Sequence, residues 1–209
     1  MSGAEITRVV TAGTFSLDGG TWDVENNVWV IGDENECVVI DAAHSAEPII
    51  AAVAGRTVRA VLLTHAHNDH VNAAKDLTAA TDAPSYLHPA DRVLWDKVHD
   101  TAPDGELADG NEFHVAGITL RTLHTPGHAP GACCFYSVEL GAVFTGDTLF
   151  QGGPGATGRS YSDFPTIIVS IREKLLTLPS ETVVHTGHGG DTSIGAESRD
   201  LEAWIARGH

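Results

Sequence analysis

Apolar residues in this chain come in short runs punctuated by glycine, proline and small polar residues. That is the pattern of strands and brief helices rather than of long helices. Ile6–Val10, Asn27–Ile31 and Cys37–Asp41 read as strands, with turns at Leu17-Asp-Gly-Gly20 and Gly32-Asp-Glu-Asn35. Pro48–Ala54 reads as a short helix, and Val58–Thr64 as a buried strand. Val71–Ala80 reads as a helix, Pro84–Leu87 as a strand, and Pro89–Val98 as a helix with proline in its first turn. Asp100–Asn111 is polar and reads as a loop. Two hairpins follow, Glu112–Val115 with Ile118–Leu123 and Ala132–Val138 with Ala142–Thr145. Gln151–Ser162 is a Gly-rich loop, and a helix opens at Asp163 or Pro165 and runs to Leu176. Thr182–His185 is a last strand and Ile194–Arg207 a last helix. Strands followed by helices, twice over, suit two packed sheets with helices outside them.

The densest chemistry lies just after the Val58–Thr64 strand, in His65-Ala-His67-Asn-Asp69-His70. In extended chain alternate residues share a face, so His65 and His67 project together. As the chain turns, Asp69 and His70 are free to point at a second position nearby. Imidazole and carboxylate are ligands that zinc, iron and manganese accept, and the spacing suits two ions. A solvated histidine-rich turn is the plain alternative; four potential ligands in six residues at a strand end argue against it. Three further strand ends carry Gly-flanked candidates: His124-Thr-Pro-Gly-His128, Thr145-Gly-Asp147-Thr-Leu-Phe150 and His185-Thr-Gly-His188-Gly189. Glycine lets such turns aim a side chain sharply.

With 209 residues, one domain spanning 1–209 is expected. The 28 acids against 12 bases, a formal charge of −16, argue against nucleic acid or an anionic membrane as partner. Cys37, Cys133 and Cys134 are odd in number and two are adjacent, so no disulfide framework is implied. Cys37 reads as core, and one of Cys133 and Cys134 as an inward-pointing small hydrophobe. Met1–Thr14 has no apolar core of signal-peptide length, and no run approaches the ~20 residues of a membrane span. A soluble, cytoplasmic protein is expected.

The four motifs Thr64-His-Ala-His-Asn-Asp-His70, His124-Thr-Pro-Gly-His128, Gly146-Asp-Thr-Leu-Phe150 and Gly187-His-Gly189, in this order, resemble the metallo-β-lactamase superfamily. Within it they look most like the glyoxalase II hydrolases. The resemblance implies an α/β fold, a four-layer αββα sandwich of two mixed sheets with helices on the outer faces. It implies two divalent metal ions, zinc by default and iron or manganese as alternatives. His65, His67 and His128 would hold the first, Asp69, His70 and His188 the second, and Asp147 both. The implied reaction is hydrolysis of a thioester of a low-molecular-weight thiol by a bridging hydroxide, with Asp69 aiding proton transfer. The partner would be that small molecule, and the protein a monomer or homodimer. Zinc β-lactamases that use a cysteine ligand differ, since Cys133 and Cys134 are not in that slot.

Typical glyoxalase II enzymes carry a C-terminal helical domain that grips glutathione, and none is expected here, because few residues follow His188. The thiol is therefore open, glutathione or another carrier such as mycothiol. Arg159, Tyr161 and His88 are candidates for substrate contact; Arg159 has pairing with Asp163 as its structural alternative. His124 and His185 read as supports for ligands, Asp41 as a support of the metal loop, and His44 has no assigned role. His99, His114 and His209 read as surface or loop histidines, and Trp22, Trp29, Trp95 and Trp204 as packing residues. The rivals are a persulfide dioxygenase with a single iron on the same fold, a lactonase or other esterase, and a non-catalytic binding protein.

Overall fold

The computed structural model describes residues 3–208; His209 lies outside the described residues. Strands β1 (Glu5–Leu17), β2 (Gly20–Gly32), β3 (Glu36–Ile40), β4 (Thr57–Leu62), β5 (Ser85–Leu87) and β6 (Gly105–Glu106) form one sheet in that order. A second six-stranded sheet takes β7 (Glu112–Val115), β8 (Ile118–His124), β9 (Cys133–Ser137), β10 (Ala142–Gly146), β13 (Val183–Thr186) and β14 (Thr192–Ser193). Between these last groups, β11 (Leu149–Phe150) and β12 (Gly153–Pro154) pair with each other. Both large sheets mix parallel and antiparallel pairs.

Strand periodicity sorts the side chains into layers. In β2, Trp29 and Ile31 face the second sheet, whereas Val28 and Val30 face outward under helices α1 (Ala46–Val53) and α3 (Ala74–Thr81). In β9, Cys133 and Phe135 join the layer between the sheets, and Cys134 joins the outer layer under α5 (Phe164–Ser170). The result is the αββα sandwich. Cys133 points inward between the sheets, as expected of one of the pair, and Cys134 is buried on the opposite face, because both faces of the sheet are covered. Cys37 is core, as expected.

Element boundaries moved where the chain makes non-local bonds. The helix expected over Val71–Ala80 is instead α2 (Asn68–Val71) and α3. Ala42, just past β3, breaks it: its N–H donates to His70 O, and its carbonyl accepts from Ala73 N–H. Pro89–Val98 forms a 3₁₀ turn, Pro89–Asp91, and a short α4 (Arg92–Trp95). The last helix is divided into α6 (Ile194–Glu197), a 3₁₀ turn and α7 (Leu201–Arg207). The loop expected over Asp100–Asn111 contains β6, and the Gly-rich loop contains β12. Among the described residues no helix is long and apolar enough to cross a membrane.

Candidate metal centre

Four strand ends meet at one edge of the two sheets. β4 delivers His65 and His67, and the single turn of α2 then presents Asp69 and His70. The loop after β8 carries His128, the turn after β10 carries Asp147, and the turn after β13 carries His188. The seven residues are thereby brought together. His67 Nδ1 lies 3.1 Å from His65 Nε2 and 3.0 Å from His128 Nε2. His70 Nε2 and His188 Nε2 are 3.2 Å apart, with Asp69 Oδ2 at 3.6 and 3.4 Å from them. The Asp147 carboxylate stands between the two groups, Oδ1 at 3.3 Å from His70 Nε2 and Oδ2 at 3.5 Å from His128 Nε2.

The far ring nitrogens explain why the near ones converge. His65 Nδ1 donates to Thr64 Oγ1, whose own hydroxyl donates to Asp41 Oδ2. His128 Nδ1 donates to the Ala156 carbonyl and His188 Nδ1 to the Glu25 carbonyl. Each bond turns the Nε2 edge of its ring into the cluster, which is how metal-binding imidazoles are held. The loop after β13 must also pass very close: a Cβ at Gly187 would lie 2.4 Å from Asp147 Oδ1.

The donor set fits divalent ions. Three groups place all their donor atoms within 4.8 Å of one another: His65, His67 and His128; His65, His70 and Asp147; and Asp69, His70 and His188. Asp69 Oδ1 and Asp147 Oδ1 are buried with no hydrogen-bond partner, which is costly unless a cation satisfies them. Burial, reinforced by neighbouring imidazoles, pushes His65 well down and His67 to about 3, so both are neutral donors at neutral pH. Burial pulls His188 down too, but the Asp147 charge and hydrogen bond outweigh it and raise it to about 10. His70 is raised in the same way by Asp147, Asp69 and Asp41. Burial would raise Asp69, yet His70 and His188 hold it at about 2.

The other singled-out residues are placed differently. His88 stacks on His124, rings 3.9 Å apart, and lines a cavity with Arg92 and Pro103, away from the cluster. The Arg159 guanidinium lies 3.9 Å over the Trp22 ring, which stacks on Phe15, and Phe15 in turn packs 5.2 Å from the His67 ring. Trp22 is therefore not a core residue; it is 40% exposed on the β1–β2 hairpin. Asp163 caps α5 by accepting from Thr166 N–H. Tyr161 sits under the Lys97 ammonium. His185 packs on Trp29 and Phe144 and pairs with Asp191. Neither Cys133 nor Cys134 belongs to a donor group among the described residues.

Two groups had no signal in the sequence. Asp91, fully buried, accepts from Ala66 N–H between His65 and His67 and from Gly131 N–H beyond His128. Asn26, also fully buried, donates to Asp69 Oδ2. Asp91 is one acid among 28 and Asn26 one polar residue within β2; only their contacts distinguish them.

Two face-to-face sheets under outer helices, with histidines and carboxylates gathered at one strand-end edge, define an αββα protein with a candidate dinuclear metal site. The chain belongs to the metallo-β-lactamase superfamily, whose family model, described as "Metallo-beta-lactamase superfamily", matches residues 21–188. It is 35% identical over 189 residues to the probable metallo-hydrolase YqgX of Bacillus subtilis, covering 83% of this chain and 90% of that one. It is 35% identical over 183 residues to the hydroxyacylglutathione hydrolase GloC of Haemophilus influenzae, covering 80% and 86%. Among solved structures, TTHA1623 in a di-iron-bound form superposes with TM-score 0.76 at 33% identity, over 90% and 97% of the chains. The BLEG-1 B3 metallo-beta-lactamase superposes with TM-score 0.77 at 30% identity, over the same shares.

Proposed function

We propose that this protein is a dinuclear metal-dependent hydrolase of thioesters of a small thiol. The observation that carries the reading is the Asp147 carboxylate, one oxygen beside His70 and the other beside His128, so that it serves two adjoining donor sets at once. His65, His67 and His128 would hold one ion, Asp69, His70 and His188 the second, and Asp147 both. Two such ions lower the pKa of a bound water and polarise a carbonyl. The chain's own part is to hold that site dry and oriented. Asp69, in the second donor set, would also aid transfer of a proton from the attacking water, and His70 and His188 keep its carboxylate ionised.

The substrate class is supported by the likeness to GloC. The net charge of −16 supports a small molecule over nucleic acid or an anionic membrane as partner. Zinc is the default pair of ions; the di-iron form of TTHA1623 makes iron the first alternative, with manganese after it. The deciding experiment is elemental analysis of the purified protein followed by a panel of acyl thioesters, lactones and simple esters. About two ions per chain and turnover of a thioester meet the proposal. A single tightly held iron with oxygen uptake on a persulfide would replace it with the dioxygenase reading.

A further inference from the structure

His44 occupies a conformation that has to be held in place. Its φ is 62°, in the left-handed region that costs a non-glycine residue about 1 kcal/mol. Its N–H donates to Asn72 Oδ1, just beyond the α2 turn that carries Asp69 and His70. Its ring lies against Gly13 of β1, where a Cβ would fall 2.2 Å from His44 Nδ1. A left-handed backbone, a side-chain anchor on the α2 segment and a glycine opposite the ring all place one imidazole.

That imidazole reaches inward. His44 Nε2 lies 2.7 Å from Asn26 Oδ1, and an amide oxygen only accepts, so the ring donates from Nε2. The amide is thereby oriented: its Nδ2 faces Asp69 Oδ2 at 3.0 Å. Turned the other way, Asn26 would set its oxygen against the Asp69 carboxylate, which only accepts. Asp69 Oδ2 is thus bonded, and Oδ1 is the oxygen left without a partner.

We propose that His44 is a positioning residue: acting through Asn26, it fixes the Asp69 carboxylate and so sets the affinity and geometry of the second donor set. The inference rests on the reading of Asp69, His70 and His188 as that set. It concerns hydrogen-bond direction only and requires no change in protonation.

The test uses the full chain with metal bound. His44→Asn keeps the left-handed backbone but falls short of Asn26; His44→Phe keeps the ring and loses the donor; His44→Gln keeps an N–H donor of similar reach. Affinity for each ion is read by chelator competition, and kcat and KM are read separately on whichever ester the wild type turns over. The expected result is that His44→Asn and His44→Phe weaken one of the two ions, that of the Asp69, His70 and His188 set, about tenfold, leave the other unchanged and lower kcat more than they change KM. His44→Gln recovers most of the loss. Wild-type affinity for both ions in His44→Asn and His44→Phe, or equal weakening of both with no recovery in His44→Gln, overturns the proposal. A wild-type chain that never takes up a second ion overturns the metal reading itself, and the proposal with it.

Discussion

Asp41 Oδ2 lies 2.8 Å from His70 Nδ1, and neither side chain is more than 2% exposed. The same carboxylate accepts from Thr64 N–H and from Thr64 Oγ1–H, so one acid ties the end of β3 to the end of β4 and orients a candidate ligand. Asp41→Asn tolerates the φ of 64° but replaces one acceptor oxygen with a donor. We expect metal affinity of the second donor set to fall about 10- to 100-fold, with the fold retained. Ions per chain after dialysis against a graded chelator series, together with circular dichroism, checks this; undiminished loading would show that Asp41 is purely structural.

Removing a ligand separates the two donor sets. His67 belongs only to the group with His65 and His128, whereas Asp147 touches both groups. His67→Ala should therefore hold about one ion, and Asp147→Ala should bind both weakly, each with hydrolysis lost. Wild-type turnover in either variant would rule out the site as drawn.

Loading should depend on pH in a defined order. Without ions, burial opposes charge on His70 and His188, but Asp147 and its neighbours raise both, His188 to about 10. His188 is thus protonated at pH 7, while His65 and His67 are neutral. The first donor set should fill at pH 6, and filling the second should expel at least one proton. The stability given by these raised histidines is full below their unfolded value of 6.5 and is lost as pH rises through their folded values. The metal-free protein should therefore weaken from neutral pH towards pH 10. Titration calorimetry in buffers of different ionisation enthalpy counts the protons; no buffer dependence would refute the order.

Asp91 makes a separate pH signature. Burial raises it to about 6, against the pull of its two backbone N–H donors. A raised acid binds more protons folded than unfolded, so its contribution to stability falls as pH climbs from about 4 to about 6, by on the order of 3 kcal/mol. Asp91→Asn lacks this slope, so its deficit relative to wild type should shrink between pH 4.5 and 7. Urea denaturation of both proteins without metal measures it; parallel pH profiles would contradict the assignment.

What the chain determined alone was local. The spacing of His65, His67, Asp69 and His70, and the Gly-flanked turns at Asp147 and His188, could be read directly, because ligand spacing and turn chemistry are set by neighbours in sequence. The strands were legible for the same reason, since apolar runs between turn residues fix them locally. Tertiary structure decided whatever depends on pairing across the chain. Ala42 divides the α2–α3 helix, because its N–H and carbonyl take bonds the helix would have used. Asp91 joins the loops of Ala66 and Gly131, and Asn26 joins β2 to Asp69, 43 positions later. Arg159 lies over Trp22 and His88 stacks on His124, contacts that neighbours in sequence do not specify. A buried polar group is assigned by what it bonds once water is excluded, and that partner follows from the order in which strands pack, not from the residues beside it.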